Sequence, residues 1–386
     1  MDFETPAHWE TLRVGVRALC ERYGDEYWRR LDVERGYPEE FIRELSREGW
    51  LSTMIPKELG GGGMGLAETS VVLEEVNRCG ANANAAHAQV YMMGVLLRHA
   101  GDALKRAYLP RVAAGELRLQ AFAVTEPEAG SDTTRIATTA ERRGDTYVIN
   151  GEKIFISRVL QSDLMLVLAR TTPLEDLDDR TRGLSLFLVD LREAGEAVDA
   201  RPLRVMMNNH TNAVTFRNLE VPAGHMVGDE GNGFRCVIDS WNAERILIAA
   251  ECIGDGRWFI ERASARARER VVFDRPIGAN QGVQLPIAQA YAHVEAADLV
   301  RHKAAAKFDA GQPCGPEANM AKLLASQASW EAANVCVDTH GGYGFLADYD
   351  VERKFRETRL YTVAPINNNL VLAYLGQRVL GMPRSY

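Results

Sequence analysis

Phe122-Ala123-Val124-Thr125-Glu126-Pro127-Glu128-Ala129-Gly130-Ser131-Asp132 closes a short apolar run and opens a turn. Leu119 to Val124 has the length of a strand, and it stops at Thr125-Glu126-Pro127 because proline cannot donate to a sheet ladder. Ala129-Gly130-Ser131-Asp132 is a small-residue turn whose backbone N–H groups can approach a ligand closely. Many strands end in such a turn, so alone it predicts a strand end and no particular chemistry. Its position makes it informative, because the period of the sequence changes around it.

Upstream, the first ~115 residues have helical periodicity. Residues 8–23, 38–49, 67–79 and 86–99 mix apolar and polar positions at helical spacing, and Pro38 suits a helix start. The run Gly60 to Gly63 with Met64-Gly65 cannot continue a helix. Residues 86–99 are almost uncharged, which predicts a buried helix, one side of which could line a pocket for an apolar chain. From about 118 to 227 the pattern is that of strands. Tyr147-Val148-Ile149 and Ile154-Phe155-Ile156 flank Asn150-Gly151, a hairpin signal, and Leu164–Ala169, Leu184–Val189 and Ala213–Phe216 are further strands. After about 230 helices return. Residues 285–308 and 318–337 are rich in Ala, Leu and Val, as in helices that pack as a bundle. The expected organisation is mostly α with an inserted β domain: 1–117 helical, 118–228 β, 229–386 a helical bundle.

The 386 residues are 46% hydrophobic and 25% charged, as in an ordinary globular protein with ample core. A net charge of −8 argues against a nucleic-acid partner. No apolar run approaches bilayer-spanning length, and the N-terminus lacks a basic flank and apolar stretch, so neither a membrane association nor a signal peptide is expected. The six cysteines are far apart with no C-x-x-C pair, which predicts reduced thiols in a cytoplasmic compartment and no metal site.

Four segments together resemble the acyl-CoA dehydrogenase family. They are the opening stretch, Asn150 to Ser157, Arg270-Val271-Val272-Phe273-Asp274-Arg275-Pro276-Ile277, and Asp338-Thr339-His340-Gly341-Gly342-Tyr343-Gly344-Phe345 with Asp348, Arg353 and Glu357. The resemblance covers essentially the whole chain. It implies an FAD enzyme with an N-terminal helical domain, a middle β-barrel-like domain and a C-terminal four-helix bundle, as a homotetramer or homodimer. It also implies an acyl-CoA substrate and an electron-transferring flavoprotein as electron acceptor. Phe122, Val124 and Thr125 would then contact the flavin ring, and Ser131 would reach the coenzyme A side as well. Phe155 would shield the ring face, with the Ser157 hydroxyl near its nitrogens, an arrangement that suits a flat heterocycle. Arg270 and Gln281 would reach FAD from a neighbouring subunit, with Phe273 packing nearby. Asp338, Gly341, Gly342, Asn367 and Asn369 would take further cofactor positions. Read from the residues alone, these polar groups are caps and turns.

Removing a proton next to a thioester requires a carboxylate in a water-poor site, where burial raises its pKa toward working pH. Most family members supply a Glu from the loop after the last signature; counting from Arg356-Glu357, that position is Pro365. A second Glu is available. Val237, Trp241, Glu244, Ile248 and Cys252 fall on one helix face, and neither Ser240 nor Ile248 offers Glu244 a cation. In the isovaleryl-CoA and long-chain branches the base precedes an Arg on this helix, as Glu244 precedes Arg245. The resemblance therefore makes Glu244 the base, with Asn242 and Arg245 near the substrate. A buried Glu paired with a distant Arg is the structural alternative. Pro365 has no N–H to offer a thioester oxygen, and losing such a donor costs on the order of a hundredfold in rate. Other chemistries on the same fold are an enoyl-CoA reductase, an oxidase or a monooxygenase, and a catalytically silent acyl-CoA-binding flavoprotein stands apart from these.

Overall fold

A computed structural model describes residues 6–384 of the chain. Helices α1 (Ala7–Cys20), α2 (Asp25–Glu34), α3 (Glu39–Arg47), α4 (Leu66–Arg78), α5 (Asn84–His99) and α6 (Asp102–Ala113) come first. Strands β1 (Leu119–Ala123), β2 (Thr139–Arg143), β3 (Thr146–Ser157), β4 (Leu164–Arg170) and β5 (Leu184–Asp190) come next. After the single turn α7 (Leu191–Ala194) come β6 (Val198–Pro202), β7 (Thr211–Pro222) and β8 (Met226–Val227). The remainder is α8 (Gly233–Glu269), the ribbon β9 (Val271–Val272) and β10 (Arg275–Pro276), α9 (Gln281–Asp309), α10 (Gly315–His340), α11 (Val351–Arg359) and α12 (Asn368–Tyr374). Helices α2 and α6 add to those that periodicity announces. Trp28 and Leu31 are the only residues α2 buries, too few to make a stripe.

The elements pack as two compact units, one from residues 37–64 and 84–241, the other from residues 65–83 and the two ends of the chain. The first unit is built on a sheet in the order β6-β7-β3-β2-β4-β5-β8, with β1 paired in parallel to β4. Every residue of β4 and β5 is buried, which explains their unbroken apolar sequences: both faces are covered. Tyr147, Ile149, Val167, Phe187 and Phe216 form the centre of its core.

Asn150-Gly151 is not a hairpin turn. The strand β3 runs straight through it, and the reversal lies earlier, at Gly144 (φ 63°) between β2 and β3. Gly151 sits at φ 150°, where the β3–β7 register shifts, and a Cβ there would lie 2.7 Å from Thr138 Cα. The glycine serves a bulge and a close backbone approach instead of a chain reversal.

The second unit is helical, with α9 and α10 as its long pair and Trp258, Phe259, Ala290, Ala333 and Val351 in its core. Its centre also holds charge. The fully buried Glu74 of α4 accepts from Arg13 of α1 (2.7 Å) and Arg301 of α9 (3.0 Å), and pairs with Arg257 of α8. Asp298 answers the same cations, 2.8 Å from Arg257 and 2.5 Å from Arg301. Farther along α8, Asp255 pairs with Lys354 (2.5 Å), and Tyr361 donates to Glu251 (2.8 Å).

These pairings require α4 and α8 to approach closely, which Gly254 permits: a Cβ there would lie 2.2 Å from the Glu74 carbonyl oxygen. Gly254→Ala is expected to cost about 1–3 kcal/mol or more in urea unfolding, through overpacking against backbone. Gly282→Ala, with open space around its Cβ, provides the control and should be neutral. Equal stability of the two variants would show that the helices are not held at this separation.

Candidate functional site

In the sheet-containing unit, the end of β1 is fixed by a buried ion pair. Lys153 of β3 lies in the core and its Nζ donates to Glu126 Oε1 and to the Val124 carbonyl, both at 2.9 Å. Glu126 also accepts from Ala137 N (2.7 Å) and Thr138 N (2.9 Å). Burial opposes the Glu126 charge, but Lys153 and these N–H groups outweigh it and hold the carboxyl below its ordinary range. Burial pulls Lys153 the other way, from 10.5 to about 8, despite Glu126. The Ile154 N–H donates to the Thr125 carbonyl (2.9 Å), a second tie between the segments.

The same arrangement places the expected ring-binding residues. The β3–β7 register shifts again between Lys153 and Ile156, and Phe155, at φ 60°, is turned outward and 62% exposed. Phe122 is half-buried, its ring 6.0 Å from Tyr91 of α5, which lies 5.2 Å from His87. Val124 and Thr125 are half-buried. Ser157 accepts a hydrogen bond from Asn209 Nδ2 (3.0 Å), which leaves its own proton for another acceptor. An outward aromatic face with two hydroxyl-bearing residues on segments tied together fits a flat, polar-edged ring. Ser131 is exposed in the turn beyond. The β1 segment and β3 thus come together; Lys153 and Glu126, which join them, carry no sequence signal that marks them as partners.

In the helical unit, Glu244 and Arg245 are buried on α8, and Asn242 accepts from Arg245 Nη1 at 3.3 Å. Val237, Ile248 and Cys252 are buried along the same face of α8. The cation missing from that helix arrives from α10. Lys322 is fully buried and within electrostatic reach of Cys252, Arg245 and Glu244; burial is the main cause that pulls it down to about 8. Its Nζ donates to the Ile366 carbonyl (2.7 Å) and to Asn368 Oδ1 (2.8 Å). The Asn368 Nδ2 donates to Ser326 Oγ at 3.2 Å. Sequence reasoning misses Lys322; its one signal is a lone charge among the small and apolar residues of Asn319-Met320-Ala321-Lys322-Leu323-Leu324-Ala325.

The remaining candidates lie on exposed segments of this unit. Arg270, Phe273 (φ 52°, 93% exposed) and Gln281 surround the β9–β10 ribbon and the start of α9. Asp338, Gly341 and Gly342 are exposed at the end of α10, and Asn369 is exposed on α12. The Asn367 side chain caps α12, accepting from Leu370 N at 3.0 Å, so it has the structural role the residues alone suggest. Arg353 and Glu357 also serve structure: Arg353 pairs with Asp350 (3.0 Å) and Glu357 (3.1 Å) in the interior. Among the described residues no cluster of His, Cys, Asp or Glu could hold a metal ion, and no helix is long and apolar enough to cross a membrane.

Three family models match the chain in order: acyl-CoA dehydrogenase N-terminal domain over residues 6–116, middle domain over 121–219 and C-terminal domain over 231–379. An acyl-CoA dehydrogenase of Mycobacterium tuberculosis is 34% identical over 98% of this chain and 97% of its own length. The cyclohex-1-ene-1-carbonyl-CoA dehydrogenase of Syntrophus aciditrophicus is 35% identical over 91% of this chain and 84% of its own. The solved glutaryl-coenzyme A dehydrogenase in complex with glutaryl-CoA superposes with a TM-score of 0.93, at 30% identity, covering 100% of this chain and 98% of that one.

The Lys153–Glu126 pair has a testable pH signature. Between about pH 8 and 10 the unfolded chain still holds the lysine proton that the folded chain has released, so this group makes stability rise with pH. In chemical denaturation, the parent is expected to gain stability relative to Lys153→Met across that interval. A difference independent of pH would show that the buried lysine keeps its ordinary proton affinity.

Proposed function

The chain belongs to the acyl-CoA dehydrogenase family, flavoprotein oxidoreductases with FAD as cofactor, and from that premise we propose that it desaturates an acyl-CoA thioester between the α and β carbons. The observation that supports this is the placement of Glu244: a buried carboxylate on α8, beside Arg245 and within electrostatic reach of Lys322. In this proposal Glu244 takes the α-proton; the β-hydride leaves as the Cα–Cβ double bond forms. FAD, when bound, supplies the two-electron acceptor for that hydride.

The chain's own residues orient the reactants. Phe155 gives an aromatic face to the flavin ring, Phe122 and Val124 line it, and the hydroxyls of Thr125 and Ser157 donate to its polar edge. Ser131 reaches toward coenzyme A, while Asn242 and Arg245 form part of the substrate wall. Asp338, Gly341, Gly342, Asn367 and Asn369 complete the FAD contacts, Asn367 by backbone because its side chain caps α12. Arg270, Phe273 and Gln281 serve the FAD of a second copy of the chain. Phe273, Phe345 and Leu380 are large apolar side chains exposed on the helical unit, and association into a tetramer or dimer would remove such surface from water. The electrons then pass to an electron-transferring flavoprotein.

Anaerobic titration of the flavin-bound protein with straight, branched and aromatic acyl-CoAs should bleach the flavin with one class. Glu244→Gln should bind the same thioester yet bleach about 10²–10⁴-fold more slowly, the usual contribution of a positioned base. Bleaching at the parent rate in that variant would remove Glu244 from the mechanism. Spectral shifts without bleaching in the parent would displace dehydrogenation in favour of reductase chemistry or silent binding.

A further inference from the structure

What a serine hydroxyl offers a ligand depends on what holds it, because its one proton and its lone pairs rotate together. Ser157, the last residue of β3, is half-buried, and two side chains of the sheet-containing unit lead to its hydroxyl. Arg158 Nη1 donates to Asn209 Oδ1 at 2.9 Å, and Asn209 Nδ2 donates to Ser157 Oγ at 3.0 Å. The direction of this chain is set by its first member. A guanidinium has donors and no acceptor, so Asn209 turns its oxygen to Arg158 and its amide hydrogens to Ser157. Ser157 is then the acceptor of that bond, and its own proton points elsewhere. Among the described residues that proton meets no acceptor.

Backbone bonds hold these residues as well. The Arg158 N–H donates to the His210 carbonyl (2.8 Å), and the Arg158 carbonyl accepts from Ser162 Oγ (2.8 Å). Asn212 Nδ2 reaches both the Ile156 carbonyl (3.1 Å) and the His210 carbonyl (2.8 Å), which ties the end of β3 to the segment that carries Asn209. Phe155 (φ 60°), Arg158 (φ 59°) and His210 (φ 48°) all take the left-handed backbone region here without being glycine. Such conformations carry strain, persist only where the surroundings enforce them, and gather at ligand sites. Arg158 is buried in its left-handed setting, so its guanidinium is not a loose surface charge. The Asn209 amide therefore meets a fixed donor on one side and Ser157 on the other.

We propose that Asn209, oriented by Arg158, fixes the Ser157 proton as a donor to the flavin ring. Asn209 and Arg158 are then positioning residues that act on the ring through one hydroxyl. The assignment rests on the placement of Ser157 at the ring and adds the groups that decide which way its hydrogen bond runs.

Asn209→Asp tests this, because aspartate keeps the shape but offers only acceptors. It can still pair with Arg158, yet it takes the Ser157 proton, so the bond to Ser157 reverses. A merely bracing role would leave this variant like the parent. The first readout is the resonance Raman spectrum of oxidised holoenzyme, in the flavin carbonyl and C=N stretches. Ser157→Ala, which removes the donor, should shift at least one of these bands, and Asn209→Asp should shift the same band in the same direction. Adding Asn209→Asp to Ser157→Ala should leave that band where Ser157→Ala alone puts it, which separates bond reversal from the added charge. The second readout is FAD affinity, by titration of the apoprotein. Each single variant should bind about two- to tenfold more weakly, the worth of one ordinary hydrogen bond, and the double variant little more weakly than Ser157→Ala. Asn209→Ala, which lets the hydroxyl rotate, should show part of both changes, and it tests the assignment even if the aspartate variant does not fold. Parent bands in the Asn209 variants, or an equal shift from Asn209→Asp with and without the Ser157 hydroxyl, overturn it. If Ser157→Ala moves the bands while the Asn209 variants do not, the positioning role alone fails; if Ser157→Ala keeps the parent's bands and affinity, Ser157 is not at the ring and the assignment falls with that placement.

Discussion

The buried carboxylate of Glu74 is the fixed point of the helical unit. Arg13, Arg257 and Arg301 converge on it from three other helices, and Asp298 balances the excess cation. Such a cluster is not a source of large net stability, because desolvation opposes the Coulombic gain. It does specify geometry: each guanidinium accepts only one arrangement that leaves no charge unanswered. Four helices are thereby held in one rotational setting, and α8 is among them. Its inner face carries Glu244, Glu251 and Asp255 in line: Glu251 meets Tyr361, Asp255 meets Lys354 of α11, and Glu244 lies within electrostatic reach of Lys322 of α10. The depth and direction of Glu244 result from how α8 is held, not from residues adjacent to it.

The period change around Phe122–Asp132 is legible in the sequence because periodicity is a local property. The long Ala-rich helices and the buried apolar strands β4 and β5 are legible for the same reason. Asn150-Gly151 misleads because its meaning is not local. The dipeptide that makes a tight reversal also makes a bulge, and only the proximity of Thr138 tells them apart. Lys322 is illegible for a related reason. A lysine in an alanine-rich helix is usually solvated, and nothing within ten residues says that this one meets Ile366 and Asn368 inside the unit, within electrostatic reach of Glu244.

Motif residues divide by what they touch. In the last signature, Arg353 and Glu357 are locked together in the interior; Arg353 also donates to the Gly80 carbonyl (2.9 Å) and Lys354 to that of Ala81 (3.0 Å). Arg353 and Lys354 thus satisfy buried carbonyls just beyond the end of α4, and Glu357 holds Arg353 in place to do so. Glu126 and Lys153 behave likewise in the other unit: they touch each other and the backbone, leaving Phe155 and Thr125 at the edge. A family signature thus mixes ligand contacts with the braces behind them, and burial separates the two where sequence cannot.

The bonds from Arg353 and Lys354 to residues 80 and 81 join parts of the chain more than 270 residues apart. They fix an order of assembly. As the ribosome releases the chain, everything needed for the sheet-containing unit exists by residue 241. The helical unit is drawn from both ends, so α1, α2 and α4 emerge long before α11, which closes over the end of α4. Helices α1 and α4 can pack on each other early, but the faces that meet the late helices must wait through most of translation, a demand on chaperoning that a unit continuous in sequence would not make.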